Sequence, residues 1–376
     1  MDFSFSEDQE LMIDSIKEFA ATYFTDEAVK EMYEVHHGVP DEVQDAYRDL
    51  GFAFMGLPEE VGGIPATRID LGILPFMTAM LAAYDVAEFG SEEQCQLIID
   101  HYEKTGNCFA AMCLSEPGAG SDNMGMTTTT KKQADGTYIL KGQKTWVTNG
   151  ACSSYLVVIA KDEDPARENK NMSLWLIPSD TPGVSTAALT KLGQQTVPFV
   201  DVFFDDVVLT EANRLGEAGQ GWLLLMKNFE FERCLVVAQG LGLAEAALDD
   251  AIDYALDRIA FGKPIADNPR VQDLITESKR TILYTRMMLY LCLWMLDQGM
   301  SCNAEVAMLK SESTKTCLKV ADNAIEIFGG LGYTEEVRVG RIWKDLRGNA
   351  LAGGTCEVMD YIAGRAIVNK YRARKK

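Results

Sequence analysis

The spacing of apolar residues changes character twice along this chain, and that change constrains the fold more than any other feature. In the first hundred or so residues they recur at helical intervals, as in Leu11, Ile13, Ile16, Phe19 and Ala20, with a break at Gly62-Gly63. From about Ser115 the texture becomes short β-rich runs bounded by Gly, Pro, Asn and Asp, at Thr137–Thr148, Tyr155–Ala160, Ser173–Pro178 and Phe199–Phe204. After Gly219-Gln220-Gly221 long helical patterns return, at roughly 222–258, 271–298 and 303–328, with a shorter one near 355–371. The order helices, strands, helices predicts an α+β multidomain chain. The expected parts are an N-terminal helical domain (1–112), a central antiparallel β-barrel or sandwich (113–218) and a C-terminal four-helix bundle (219–376).

A chain of 376 residues that is 47% hydrophobic can bury a sizeable core, and its composition is that of a soluble protein. Asp and Glu number 56 against 35 Lys and Arg, a formal charge of -21, so no basic face is on offer to a phosphate polymer and nucleic acid is excluded as an expected partner. The acidic, helically spaced start is unlike a secretory or transit signal. The longest apolar run, Met287–Leu296, is too short to cross a bilayer, so no integral membrane segment is expected. Nine cysteines, odd in number and without metal-ligand spacing, read as reduced thiols of a cytoplasmic protein. His36, His37 and His101 lie far from every motif below, which argues against Ser-His or zinc chemistry. Carboxylates or a cofactor must then carry any reaction.

Four segments could do so. In Cys113-Leu-Ser-Glu-Pro-Gly-Ala-Gly-Ser-Asp122, Pro117, Gly118 and Gly120 permit a tight turn whose amides could meet an anion or the polar edge of a heterocycle; a plain structural turn is the alternative. Trp146 and Thr148 stand two residues apart at a strand end, hence on one face, and could wall a flat cofactor, or Trp146 could simply fill the sheet core. On the helix that follows, Leu225, Phe229, Val236 and Leu243 form one apolar stripe with Glu232 in its middle, while Glu230 points nearly the opposite way. A carboxylate aimed into an apolar interior has its pKa raised and suits general-base work; the bland alternative is a buried ion pair with Arg233 or some other cation. Finally, Arg258 precedes Phe261-Gly262 at a helix end, Glu326 precedes the Gly329-Gly330-Leu-Gly332 turn, and Gly353-Gly354 precedes Thr355. These suit close approach of a ligand, or ordinary helix capping.

Taken in order and over essentially the whole chain, these segments resemble the acyl-CoA dehydrogenase family. The resemblance implies FAD as cofactor, an acyl-CoA substrate and a trans-2-enoyl-CoA product. It implies that Ser115 and Thr148 hydrogen-bond the isoalloxazine edge, that Trp146 flanks the ring, and that Ser121 lies between cofactor phosphate and substrate. Cys113, Gly120, Arg258, Phe261, Glu326, Gly329, Gly330, Thr355 and Glu357 would complete the FAD site, Arg258 through Gly262 reaching the FAD of a neighbouring subunit. Such sharing implies a homodimer or homotetramer, and the family's usual electron acceptor is an electron-transfer flavoprotein. Many members place the catalytic glutamate where this chain has Gly353; a minority branch, including isovaleryl-CoA and long-chain dehydrogenases, uses a Glu-Arg pair on the first C-terminal helix, which Glu232-Arg233 matches. The crotonobetainyl-CoA dehydrogenases resemble the chain through a comparable Phe-x-x-Glu-Arg. Glu232 is thus the expected base, Arg233 tunes the site, and Gly353 and Gly354 leave room for the acyl group. Glu326 replaces the usual Gln, Pro269 stands where many members have a FAD-contacting Gln, and the segment 63–89 is shorter than usual. A flavin oxidase, monooxygenase or enoyl-CoA reductase on the same scaffold, or a non-catalytic acyl-CoA/FAD-binding partner subunit, are the rival readings.

Overall fold

A computed structural model of the chain describes residues 4–36, 38–74, 80–163 and 171–375, so His37 and residues 75–79 of the shortened segment lie outside the described residues. The described residues divide into two compact units, one drawn from 1–191 with 195–228 and the other from 192–194 with 229–376.

The first unit begins with six helices: α1 (Glu7–Tyr23), α2 (Asp26–Glu31), α3 (Asp41–Asp49), α4 (Arg68–Ile73), α5 (Leu81–Phe89) and α6 (Glu92–Tyr102). Their starts are written in the sequence: Ser6 with Gln9, Thr67 with Asp70 and Ser91 with Gln94 each form a reciprocal capping box that satisfies orphan amides. Gln94 does more than cap, because its amide also donates to the carbonyls of Ala212 and Arg214 at 3.0 Å and ties α6 to the sheet that follows.

That sheet has eight strands: β1 (Ala110–Cys113), β2 (Thr129–Lys132), β3 (Tyr138–Thr148), β4 (Tyr155–Asp162), β5 (Met172–Pro178), β6 (Val184–Ala188), β7 (Phe199–Leu209) and β8 (Arg214–Leu215). They run in the order β6-β7-β3-β2-β4-β5-β8, with β1 beside β4. Pairing is mainly antiparallel, as expected, but the hairpin β2–β3 turns the chain back so that β4 meets β2 in parallel, and β1 also pairs with β4 in parallel. The rings of Tyr138 in β3 and Trp175 in β5 lie 5.0 Å apart although two strands separate them, so the sheet curls around a shared core. Leu156, Val158 and Ala160 of β4 point into that core, and Val157 and Ile159 on its other face are equally buried. A strand covered on both faces needs an unbroken apolar run, and this one has it.

In the second unit, α7 (Gly221–Asp257, from Phe229 onward) is followed by a hairpin of β9 (Ile259–Ala260) and β10 (Lys263–Pro264), then α8 (Pro269–Asp297), α9 (Asn303–Phe328), α10 (Val339–Asn349) and α11 (Cys356–Ala373). The central helix is α9, which packs on α8, α10 and α11 and is buried along most of its length. To the four helices expected, the structure adds α10, which buries Val339, Ile342 and Leu346 together with Arg341 and Asn349. Among the described residues, no helix is long and apolar enough to cross a membrane and no group of three or more metal-ligating side chains could hold an ion.

Candidate active site

The loop after β1 is pinned from beneath. Glu116, itself buried, accepts from the Thr127 amide at 2.6 Å, the Thr127 hydroxyl at 2.8 Å, the Thr128 amide at 2.9 Å and the Lys144 ammonium at 3.0 Å. Lys144 is fully buried and also donates to the Leu114 carbonyl at 2.9 Å. Burial works to raise the Glu116 carboxyl, but hydrogen bonds from Thr128 and Thr127 and the Lys144 charge outweigh it and hold it at about 2. Two reciprocal backbone bonds of 3.0 Å between Glu116 and Ala119 close the turn through Pro117-Gly118, and the Ser115 carbonyl accepts from the Thr145 amide at 2.8 Å.

On this base Gly118, Gly120 and Ser121 are exposed, and a Cβ built on either glycine would meet nothing within 4 Å. Neither glycine has a positive φ, so the backbone does not demand them; they keep open the space beside it. The Cys113 side chain, by contrast, is fully buried in the sheet core, and only its backbone is left to meet a ligand.

Trp146 does not fill the core. It is 58% exposed, Val147 behind it is buried, and Thr148 is exposed on the same side, as the strand alternation predicts. A bulge between Lys144 and Val147 carries Trp146 at φ +60, a conformation that costs a bulky side chain roughly 1–3 kcal/mol. The indole is supported by Phe199, with ring centroids 5.9 Å apart. An exposed aromatic plane, a hydroxyl beside it and, separately, a loop with free space over its glycines suit a flat heterocyclic cofactor.

In the second unit, the apolar stripe of α7 is present, with Val236 buried and Phe229 and Leu243 half-buried. Glu232 lies half-buried in that stripe. Among the described residues its carboxylate makes no ion pair. Burial raises its pKa above the ordinary carboxylate range, with the neighbouring Arg233 charge only partly opposing. Arg233 makes its contacts elsewhere: its Nε donates to the Gly353 carbonyl at 3.1 Å and its guanidinium lies 5.3 Å from the Phe229 ring centroid. Glu230, on another side of the helix, accepts from the Cys302 thiol at 3.4 Å.

The turn 350–354 brings Gly353 to Arg233, with Gly354 next in the chain. Their φ values of +65 and +98 favour glycine, and a Cβ on Gly354 would strike the Met359 methyl at 2.6 Å. Thr355 caps α11 by accepting from the Val358 amide at 3.3 Å, and Glu357 sits exposed in its first turn. Lys310 of α9, which no sequence pattern marked, is fully buried and donates to the Gly354 carbonyl and, at 3.3 Å, to that of Ala350.

The other expected residues lie apart from this cluster. Glu326, Gly329 and Gly330 are exposed at the far end of α9, about 24 Å along the helix from Lys310 at 1.5 Å per residue. A Cβ on Gly329 or Gly330 would meet nothing, whereas one on Gly332 would strike the Ile325 carbonyl at 2.7 Å, so only the last glycine of that turn is a packing requirement. Arg258 is exposed just past α7, and Phe261-Gly262, with φ values of +53 and +80, form the two-residue tip of the β9–β10 hairpin. Phe261 projects wholly into solvent.

Three family models match: acyl-CoA dehydrogenase N-terminal domain over 6–101, middle domain over 111–207 and C-terminal domain over 219–368. Probable acyl-CoA dehydrogenase YdiO of Escherichia coli is 38% identical over 391 residues, covering 99% of this chain and 100% of its own. Butyryl-CoA dehydrogenase from Megasphaera elsdenii superposes with a TM-score of 0.90 at 28% identity, over 98% of this chain and 100% of that one. A chain described as electron transferring flavoprotein of Acidaminococcus fermentans, studied towards a mechanism of flavin-based electron bifurcation, superposes at 0.89 and 27% identity, over 98% and 99%.

Proposed function

The chain belongs to the acyl-CoA dehydrogenase family and is an oxidoreductase of that kind, and from this premise we propose that Glu232 is the base that takes the α proton of an acyl-CoA thioester, yielding a trans-2-enoyl-CoA. The observation that carries the proposal is the unpaired, half-buried Glu232 carboxylate, raised by burial and only partly opposed by the charge of Arg233, whose Nε donates to the Gly353 carbonyl. In its ionised form such a base is poorly solvated, so proton transfer to it is favoured as the carbonyl-adjacent C–H is acidified by hydrogen bonds to the thioester oxygen. FAD bound to this chain would supply the acceptor for the β hydride.

Ser115, Thr148, Trp146, Ser121, Gly120 and the Cys113 backbone are proposed to hold the flavin end of FAD, supported by the exposed indole and the open loop glycines. Arg258, Phe261, Glu326, Gly329, Gly330, Thr355 and Glu357 are proposed to serve its remainder, and Arg233, Gly353, Gly354 and Ser121 the substrate. A homotetramer or homodimer is supported by two exposed apolar features: Phe261 at the hairpin tip, and the row Tyr284, Met287, Leu291 and Trp294 along α8. An electron-transfer flavoprotein is the proposed acceptor of the electrons, and the nine free thiols support a cytoplasmic setting. The three spans of the family models support division at 1–112, 113–218 and 219–376.

The test is anaerobic mixing of the yellow protein with a panel of acyl-CoAs. The parent bleaches with at least one of them; Glu232→Gln keeps its colour and loses turnover by on the order of 10²–10⁴-fold, the scale of a lost general base. Retained turnover in Glu232→Gln places the base elsewhere. A parent that no thioester bleaches points to the non-catalytic binding role instead.

A further inference from the structure

Arg233 follows Glu232 directly in sequence, and its guanidinium is the one charge that opposes the burial-driven rise of the Glu232 carboxyl. If it were free to approach, an arginine within about 4–6 Å would lower such a carboxyl by 1–3 units and weaken the base. Two contacts hold it off: the Phe229 ring and the Gly353 carbonyl. The second is only as firm as the turn that presents that carbonyl.

That turn, 350–354, is fastened by Lys310. The ammonium reaches the carbonyls of Gly354 and Ala350, while Arg233 takes the carbonyl of Gly353 between them. The Cys356 thiol of α11 adds a weak bond to Ala350 at 3.7 Å. Among the described residues Lys310 has no carboxylate within ion-pairing distance, so a fully buried cation is spent wholly on backbone carbonyls. A protein retains a buried, unpaired lysine at a cost in desolvation, and here its bonds fix a turn whose two glycines, both at positive φ, would otherwise be loosely held.

We propose that Lys310 is a positioning residue for the base: by fastening the 350–354 turn it keeps Arg233 parked on Gly353 and so keeps Glu232 unpaired. This rests on the reading of Glu232 as the base. The charged and titratable groups around the pair are few. Burial and Arg233 act on Glu232; Glu232, Glu230 and Cys234 act on Arg233; Cys356, Arg233 and Glu357 act on Lys310. Lys310 does not figure among the causes that act on Glu232, so removing its charge works through Arg233. Burial also pulls the Lys310 ammonium down to about 8, which places loosening of the turn on the alkaline side of neutrality.

The experiment titrates the Glu232 carboxyl itself. Protein labelled with carboxyl-¹³C glutamate and saturated with FAD, in the absence of substrate, is followed by isotope-edited infrared spectroscopy across pH, with Glu232→Gln as the difference reference. Lys310→Met, of similar length but uncharged, is expected to lower the Glu232 pKa by about one unit or more, as an arginine gained at close range does. Lys310→Arg, which keeps the charge, restores the parental titration, and Arg233→Gln combined with Lys310→Met abolishes the shift. Hydrogen exchange of the 350–355 amides rises in Lys310→Met and not in Lys310→Arg. Should Lys310→Met fail to fold, Lys310→Gln takes its place with the same expected direction. An unchanged or raised Glu232 pKa in a folded variant overturns the proposal. Full turnover by Glu232→Gln overturns the reading of the base but leaves the infrared result to stand or fall by itself.

Discussion

In Glu116→Gln, the buried carboxylate under the 114–122 loop is exchanged for an amide of the same shape. All four groups that reach Glu116 are donors, two amides, a hydroxyl and an ammonium. A glutamine can accept with one oxygen only, and its NH₂ points two further hydrogens at donors, while Lys144 is left as an uncompensated buried charge. The size of the loss follows from linkage. A carboxyl depressed in the folded state stabilises the fold fully above its unfolded pKa, and the benefit disappears as pH falls through its folded pKa. Glu116 drops from about 4.3 unfolded to about 2 folded, which at 1.36 kcal/mol per unit is about 3 kcal/mol, lost between roughly pH 4.5 and 2. Burial pushes the Lys144 ammonium down even as Glu116 supports it, so the net value of the pair is smaller than this one-sided figure. Cutting one partner out of a buried pair typically costs about 3–5 kcal/mol, which agrees with the lower end. For a unit of this size each kcal/mol moves Tm by roughly 2–4 °C, so the transition of Glu116→Gln should fall by roughly 6–12 °C in scanning calorimetry at neutral pH. The parent's own transition should fall more steeply than the variant's as pH is taken from about 4.5 towards 2. A Tm within about 2 °C of the parent at neutral pH would refute the argument, because it would mean that the four donors contribute no net stability.

The pH profile offers a second check. Glu232 must be ionised to accept a proton and burial raises its pKa, so kcat/KM should fall as pH drops through a value above the ordinary carboxylate range, and that limb should vanish in the residual activity of Glu232→Gln. At the hairpin tip, Phe261 pays for a positive φ with no packing in return within its own chain, so Phe261→Asn should stabilise the isolated hairpin geometry by about 1 kcal/mol while weakening flavin retention and subunit association, read by calorimetry and by sedimentation. Unchanged association would show that Phe261 is not an intersubunit contact.

The long elements were legible because their periodicity is local. The patterns at 222–258, 271–298 and 303–328 became α7, α8 and α9 with ends displaced by no more than a residue or two, and four β-rich runs became β3, β4, β5 and β7. Strands β2 and β6 were not singled out because Thr-Thr-Lys-Lys and Val-Ser-Thr-Ala-Ala carry almost no apolar alternation; their place is fixed by the neighbours that pair with them. Helix α10 could have been found from Val339, Ile342 and Leu346, but two glycines and its charge hide the pattern. Glu232 was visible as a carboxylate on an apolar stripe, and the place where Arg233 donates was not, since that depends on a carbonyl 120 residues away from it. Lys310, Glu116 and Lys144 were missed for the same reason. A lone lysine or glutamate in a polar stretch reads as solvated until the backbone groups that surround it are brought together by the fold.

The pairing of the sheet also bears on how the chain can be made. Strand β3 receives β7 along most of its length, and β7 begins at Phe199, some fifty residues after β3 ends, counted at one residue per peptide bond along a nascent chain. An incomplete chain that lacked β7 would leave that edge of β3 with unpaired amides and carbonyls. A stalled or prematurely terminated polypeptide ending before β7 would therefore be a template for intermolecular strand addition, whereas the finished chain covers that edge with its own later sequence.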